Sequence, residues 1–143
     1  MKYSNIREEE LKNKIAQDYF WIYDCTKIVG NVDFCVCMHQ SQKELFEQES
    51  LLWAEAKKGT SDIYNSIVQL ILTIGKARTF DKFLPPPMLG AFDGEKIALI
   101  TKKTTENSRN LLKAILLLEN LDLQRPKLIK TISWSFITNG YNQ

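Results

Sequence analysis

Apolar positions along this chain repeat with two different periods, and the changes of period divide it into elements. Ile6, Leu11 and Ile15 are spaced to share one side of a helix running from residue 6 to about 18. Ser4 or Asn5 can cap it, and Glu8, Glu9 and Glu10 place negative charge in the first turn, where the helix dipole favours it. The aromatic and β-branched run 19–23 (YFWIY) predicts a strand. A loop over 24–31 ends on Gly30-Asn31, a turn signal, and 32–38 (VDFCVCM) reads as a second strand, hairpinned to the first. Residues 39–49 are polar and read as a loop or a short helical excursion.

Residues 51–57 (LLWAEAK) are ambiguous, because Leu, Ala and Glu favour helix. The run is short and Gly59-Thr60-Ser61 breaks it at once, so a third strand is expected. Thr60 or Ser61 then caps the strongest helix, residues 62–78. Ile63, Ile67, Leu70, Ile71 and Ile74 mark its buried side, and Asn65, Gln69, Thr73 and Lys76 the other. Pro85-Pro86-Pro87 forms a stiff connector. Residues 88–92 and 95–100 flank Asp93-Gly94 as a hairpin. A Leu-rich helix over 105–121, with Arg109 and Lys113 outward, and an alternating last strand over 128–137 complete the reading. The fold class expected is α/β, a mixed central sheet flanked by helices.

Length and composition narrow the function classes only slightly. The 143 residues suit one domain, and a net charge of +2 is too small to announce a nucleic-acid partner. No run of about 18 apolar residues could span a bilayer. The polar, acidic N-terminus lacks the apolar centre of a signal peptide, which points to the cytoplasm. The cysteines, Cys25, Cys35 and Cys37, are odd in number, which argues against a disulfide framework. Cys35, Cys37 and His39 alternate, but zinc sites rarely use this spacing and a fourth ligand is missing, so buried thiols are expected. No G-x-S-x-G, Walker A or Rossmann glycine pattern is present, which turns attention away from acyl transfer and nucleotide cofactors.

Candidate chemistry concentrates in Trp53-Ala54-Glu55-Ala56-Lys57. In a strand, Glu55 and Lys57 share a face roughly 6–7 Å apart, and Leu52, Ala54 and Ala56 take the other. A strand apolar on both sides is central, and charges at its end are costly unless they face a cavity or a cation. Asp33 poses the same question among Val32, Phe34, Val36 and Met38. Were the two strands neighbours, Asp33 and Glu55 would suit Mg²⁺, with Lys57 orienting water or stabilising a phosphate in flight.

Asp33 followed by Glu55-Ala56-Lys57 resembles the D…(E/D)-x-K signature of the PD-(D/E)XK nucleases. The expected order of helix, three strands, helix and strand over about residues 6–100 resembles that family's αβββαβ core. The residue before Asp33 is Val32 rather than Pro, a departure common in the family. The resemblance implies a Mg²⁺-dependent endonuclease, with Mn²⁺ as substitute. Asp33, Glu55 and the Ala56 carbonyl would be metal ligands and Lys57 would assist the nucleophile. Glu10 is the candidate glutamate from the first helix, with Glu8 and Glu9 as alternatives, and Gln69 the polar contact from the second. Lys58, Thr60 and Ser61 would meet DNA phosphates, as would Lys76 and Arg78, which otherwise simply finish a helix. The segment from Trp53 to Arg78 also resembles nuclease parts of bacterial restriction-modification proteins. That likeness implies double-stranded DNA as partner, a fused or partnered methyltransferase and specificity domain, and admits a homodimer. On this view the chain is one nuclease-like module of a longer protein. A catalytically silent DNA-binding or assembly module is the alternative, and an unrelated α/β protein pairing Glu55 with Lys57 a third.

Overall fold

The computed structural model describes residues 3, 5–39, 49–101, 106, 107, 110 and 111, with the backbone alone at 101 and 127–133. It is an α/β structure. The elements are α1 (Glu8–Tyr19), β1 (Phe34–Cys37), β2 (Ser50–Ala56), α2 (Ile63–Ala77), β3 (Met88–Phe92), β4 (Lys96–Thr101) and β5 (Lys127–Ser133). A 3₁₀ turn at Thr79–Asp81 follows α2. The strands form one sheet in chain order. Only β2 and β3 run parallel, with α2 as their crossover; the other neighbours are antiparallel.

The two helices cover opposite faces. Leu11, Ile15 and Tyr19 of α1 pack with Phe34, Val36, Leu52, Ala54, Ala56, Met88 and Phe92. On the other face Leu70 and Ile74 of α2 meet Cys35, Cys37, Trp53 and Leu89, while Ile63 and Ile67 meet Ala91 and Ala98. Strand alternation produces this sorting. One irregularity alters it: Val36 pairs with Leu52 but Cys37 pairs with Ser50, so Leu51 is an extra residue. The bulge sends Leu51 into the α1-side core and turns Ser50 towards the cysteines.

Several expectations are corrected. Residues 19–23 form no strand. Tyr19 ends α1, Phe20 N–H still bonds the Ala16 carbonyl, and a turn closes from Tyr23 N–H to Phe20 O at 2.9 Å. The i, i+4 series Leu11, Ile15, Tyr19 outweighs the local β-propensity, and Phe20 packs against Phe34 with ring centroids 5.9 Å apart. The expected hairpin shrinks to one bridge between Asp24 and Cys37. The α1 cap is Arg7, without a side-chain bond, rather than Asn5; Ser4 lies outside the described residues. Asp62 caps α2 by accepting from Asn65 N–H at 3.3 Å, in place of Thr60 or Ser61. Ile71, expected in the core, is 47% exposed. The expected excursion over 39–49 and the helix over 105–121 fall largely outside the described residues.

The β3–β4 hairpin forms at Asp93-Gly94, and it does more than turn the chain. Gly94 N–H donates to Gly59 O at 2.8 Å and its carbonyl accepts from Tyr3 N–H at 3.1 Å. A Cβ there would stand 2.6 Å from the Tyr3 carbonyl oxygen, so glycine is needed for close approach. Asp93, fully buried, accepts from the amides of Ser61, Glu95 and Lys96, from the Ser61 hydroxyl, and from Lys96 Nζ at 2.6 Å. Burial works to raise its pKa, but the Lys96 ammonium, the amides and the Ser61 hydroxyl outweigh it and hold the carboxyl below its usual range. This knot fastens the β2–α2 loop to the hairpin and so fixes where β2 ends.

Candidate active site

At the end of β2 three half-buried charged residues gather. Phe34 pairs with Ala54, and Asp33, the residue just before β1, lies close enough to Glu55 to repel its charge. Glu55 has the parity of Trp53 and projects on the α2 side, where its partner on β3 is Ala91. A small neighbour leaves room beside the carboxylate. Lys57 Nζ lies 3.4 Å from Glu55 Oε1, with the two side chains 38% and 13% exposed. The structure therefore brings Asp33, Glu55 and Lys57 together at one corner of the sheet.

Backbone polarity adds to the corner. Lys57 N–H donates to Phe92 O on β3 at 3.0 Å. Alternation along the strand turns the N–H and C=O of Ala56 the other way, towards β1. There the ladder has ended, and Ala56 N–H meets Asp33 Oδ2 at 3.3 Å instead. The Ala56 carbonyl thus opens on the side where Asp33 lies. Burial, followed by repulsion from Asp33, raises the Glu55 pKa; the Lys57 ammonium pulls the other way without cancelling them. Such a carboxylate gains from any cation that shares its charge.

The donor set can be tested for a hard divalent ion. Among the described residues no group of three or more His, Cys, Asp or Glu is arranged to hold a metal. Two carboxylates and a backbone carbonyl remain, which suits Mg²⁺, an ion that keeps several waters and uses few protein ligands.

The other candidates are scattered. Glu10 sits with Arg7, Glu8, Glu9 and Asn13 around the first turn of α1. Glu9, Lys12 and Asn13 line a cleft of about 170 Å³ that also reaches Asp33, Thr26 and Lys27. Lys12 Nζ bonds Glu9 Oε1 at 2.6 Å and the Asp33 carbonyl at 3.4 Å, so it positions the segment entering β1. Lys12 was not singled out from the sequence, although Glu9 and Lys12 at i, i+3 carry a charge-pair signal. Gln69 is exposed on α2. Ser61 is committed to Asp93, and Thr60 donates to Glu95 Oε2 at 3.2 Å. Lys58 and Lys76 are exposed, and Arg78 pairs with Asp81 at 2.7 Å. No helix among the described residues is long and apolar enough to cross a membrane. Comparison with family models, curated proteins and solved structures finds no match.

Proposed function

We propose that this chain is a Mg²⁺-dependent endodeoxyribonuclease domain, a phosphodiester hydrolase of the PD-(D/E)XK type acting on double-stranded DNA in the cytoplasm. The setting that the resemblance suggests is the cleavage part of a restriction-modification enzyme. One observation carries the reading. Asp33, at the entry to β1, and Glu55, on the adjacent β2, converge beside Lys57, and Glu55 is held above its ordinary pKa by burial and by Asp33. Charge brought together at such cost is a mark of function.

Asp33, Glu55 and the Ala56 carbonyl would hold the ion. When bound, Mg²⁺ supplies Lewis-acid polarisation of a phosphoryl oxygen and acidifies water. Lys57 orients the attacking water and offsets charge on the scissile phosphate. Attack at phosphorus breaks one P–O bond and leaves a phosphate monoester and a hydroxyl. Exposed Lys58, one residue on, offers a phosphate contact of the positioning kind.

Calorimetric titration of Mg²⁺ and Mn²⁺, paired with plasmid cleavage, tests the reading. Wild type binds and cleaves, while Asp33→Asn and Glu55→Gln lose binding. Lys57→Ala retains binding and loses about 10²–10⁴-fold in cleavage. Metal binding by wild type that persists in both carboxylate variants overturns the site. The absence of a third acidic ligand among the described residues favours keeping a second reading, a DNA-binding or assembly module without turnover. Duplex binding without cleavage in saturating Mn²⁺ is its signature.

A further inference from the structure

Beyond the carboxylate corner, β1 carries a second reactive arrangement. Cys35 and Cys37 lie on the α2 face, both buried, and their sulfurs are 3.3 Å apart. Side chains two residues apart on one face of a flat strand ordinarily stand roughly 6–7 Å apart. The two thiols lean together, and the Leu51 bulge brings Ser50 Oγ within 3.7 and 3.8 Å of their sulfurs. Cys25 lies close enough to influence both electrostatically and is half-buried. Cys25 and Cys35 also line the cleft of about 170 Å³ beside Lys27 and Thr26, so the cleft ends one residue short of Cys37 on the same face of β1.

We infer that Cys35 and Cys37 form a redox-modification site, closing to an intrastrand disulfide under a hydroperoxide oxidant and reopening with dithiol. A metal is the other ligand two close thiols suggest, but the described residues supply no third donor in a binding arrangement. Disulfide geometry is within reach, because the strand rise sets the Cα atoms roughly 6.4–6.8 Å apart, the upper end of what the bridge spans. A bridge at that limit is strained and therefore easily reduced, which makes the modification reversible.

The chemistry balances. The Cys37 thiolate attacks one oxygen of hydrogen peroxide, the O–O bond breaks, hydroxide leaves and takes up the proton the thiol had released, and a sulfenic acid remains on Cys37 beside one water. The Cys35 sulfur then displaces the sulfenic hydroxyl as a second water. Two thiols have lost two electrons and two protons to the peroxide. Cys37 suits the attacking role, because its sulfur is bonded to the Cys35 thiol and lies 3.8 Å from the Ser50 hydroxyl, and both favour its thiolate against the opposition of burial. The inference does not depend on the hydrolytic reading and needs no bound ion, although Cys35 and Asp33 line the same cleft.

The test exposes the intact chain to hydrogen peroxide, unfolds it, alkylates with iodoacetamide and weighs it. Cys25→Ser, altered only at the half-buried thiol, isolates the pair. It is expected to lose both alkylatable thiols together, within one chain, with a peptide linking Cys35 to Cys37 and full recovery in dithiothreitol. Cys37→Ser in the same background should form no intrachain bridge. Two alkylatable thiols persisting in Cys25→Ser, oxidation stopping at a sulfinic acid, or a bridge only between chains overturns the inference. In wild type, a bridge running through Cys25 in place of the pair also overturns it.

Discussion

Replacing Glu55 by Gln separates a carboxylate kept for function from one kept for stability, because the two readings predict opposite signs. The Glu55 side chain is 13% exposed and meets Lys57 Nζ at 3.4 Å, but Lys57 is 38% exposed and water screens the pair. Its loss costs about 0.2–1 kcal/mol. Against that, glutamine removes the burial penalty of the charge and the repulsion from Asp33, the two leading causes of the raised pKa. A folded pKa above the ordinary 4.5 means that ionisation disfavours the fold. Wild-type stability falls as pH rises from 4.5 through the raised value and stays lower at neutrality. Glu55→Gln should therefore be more stable than wild type at pH 7, with the gap closing below the ordinary carboxylate range. Urea denaturation followed by circular dichroism at both pH values reads this. Adding Mg²⁺ at about ten times its dissociation constant should stabilise wild type by about 1.4 kcal/mol and leave Glu55→Gln unmoved. A metal-free Glu55→Gln less stable than wild type at pH 7 would refute the reasoning and make the Glu55–Lys57 pair a structural clasp.

Two further outcomes probe the frame that positions the corner. Asp93→Ala leaves the Lys96 ammonium with the Ser61 carbonyl but no counter-charge, removes the acceptor of the Ser61, Glu95 and Lys96 amides, and should cost about 3–5 kcal/mol in urea unfolding. Because the Asp93 pKa is lowered, its contribution is present above the ordinary 3.8 and lost as pH falls through the depressed value. The gap between wild type and Asp93→Asn should therefore narrow only in acid; a gap that closes near neutrality contradicts the network. In α2, Ile74→Ala should cost about 2–5 kcal/mol and Ile71→Ala less than about 1 kcal/mol. Equal losses in thermal melts would place Ile71 in the core after all.

What could be read from the chain followed the strength of local signals. The α2 periodicity, the hairpin around Asp93 and the strand at LLWAEAK survive in the structure, the last despite helix-favouring residues. The reading failed where the tertiary contacts of a segment outweighed its local propensity. YFWIY has strong β-propensity, but Tyr19 also continues the Leu11, Ile15 series and ends the helix, and residues 20–23 leave it in a turn. Ile71 failed for a geometric reason: at about 100° per residue it lies on the flank of the stripe formed by Ile67, Leu70 and Ile74. A helix laid on a flat sheet buries only the centre of that stripe. At the candidate site, the E-x-K spacing and the lone Asp33 were visible, whereas the bonds from Lys12 to the Asp33 carbonyl and from Ser61 to Asp93 were not, since they join distant segments.

The sequence by itself determined the alternation that puts Glu55 and Lys57 on one side of a strand and Ala54 and Ala56 on the other. It also determined the close spacing of Cys35 and Cys37 along β1. Those are properties of a period, and a period is local. Only the tertiary structure decided that β1 lies beside β2 in the register that brings Asp33 close to Glu55. It alone decided that Asp93 binds Ser61, and that a bulge at Leu51 turns Ser50 towards two touching thiols. Register and bulges are set by which distant surfaces bury each other, a cooperative outcome that no window of neighbouring residues contains.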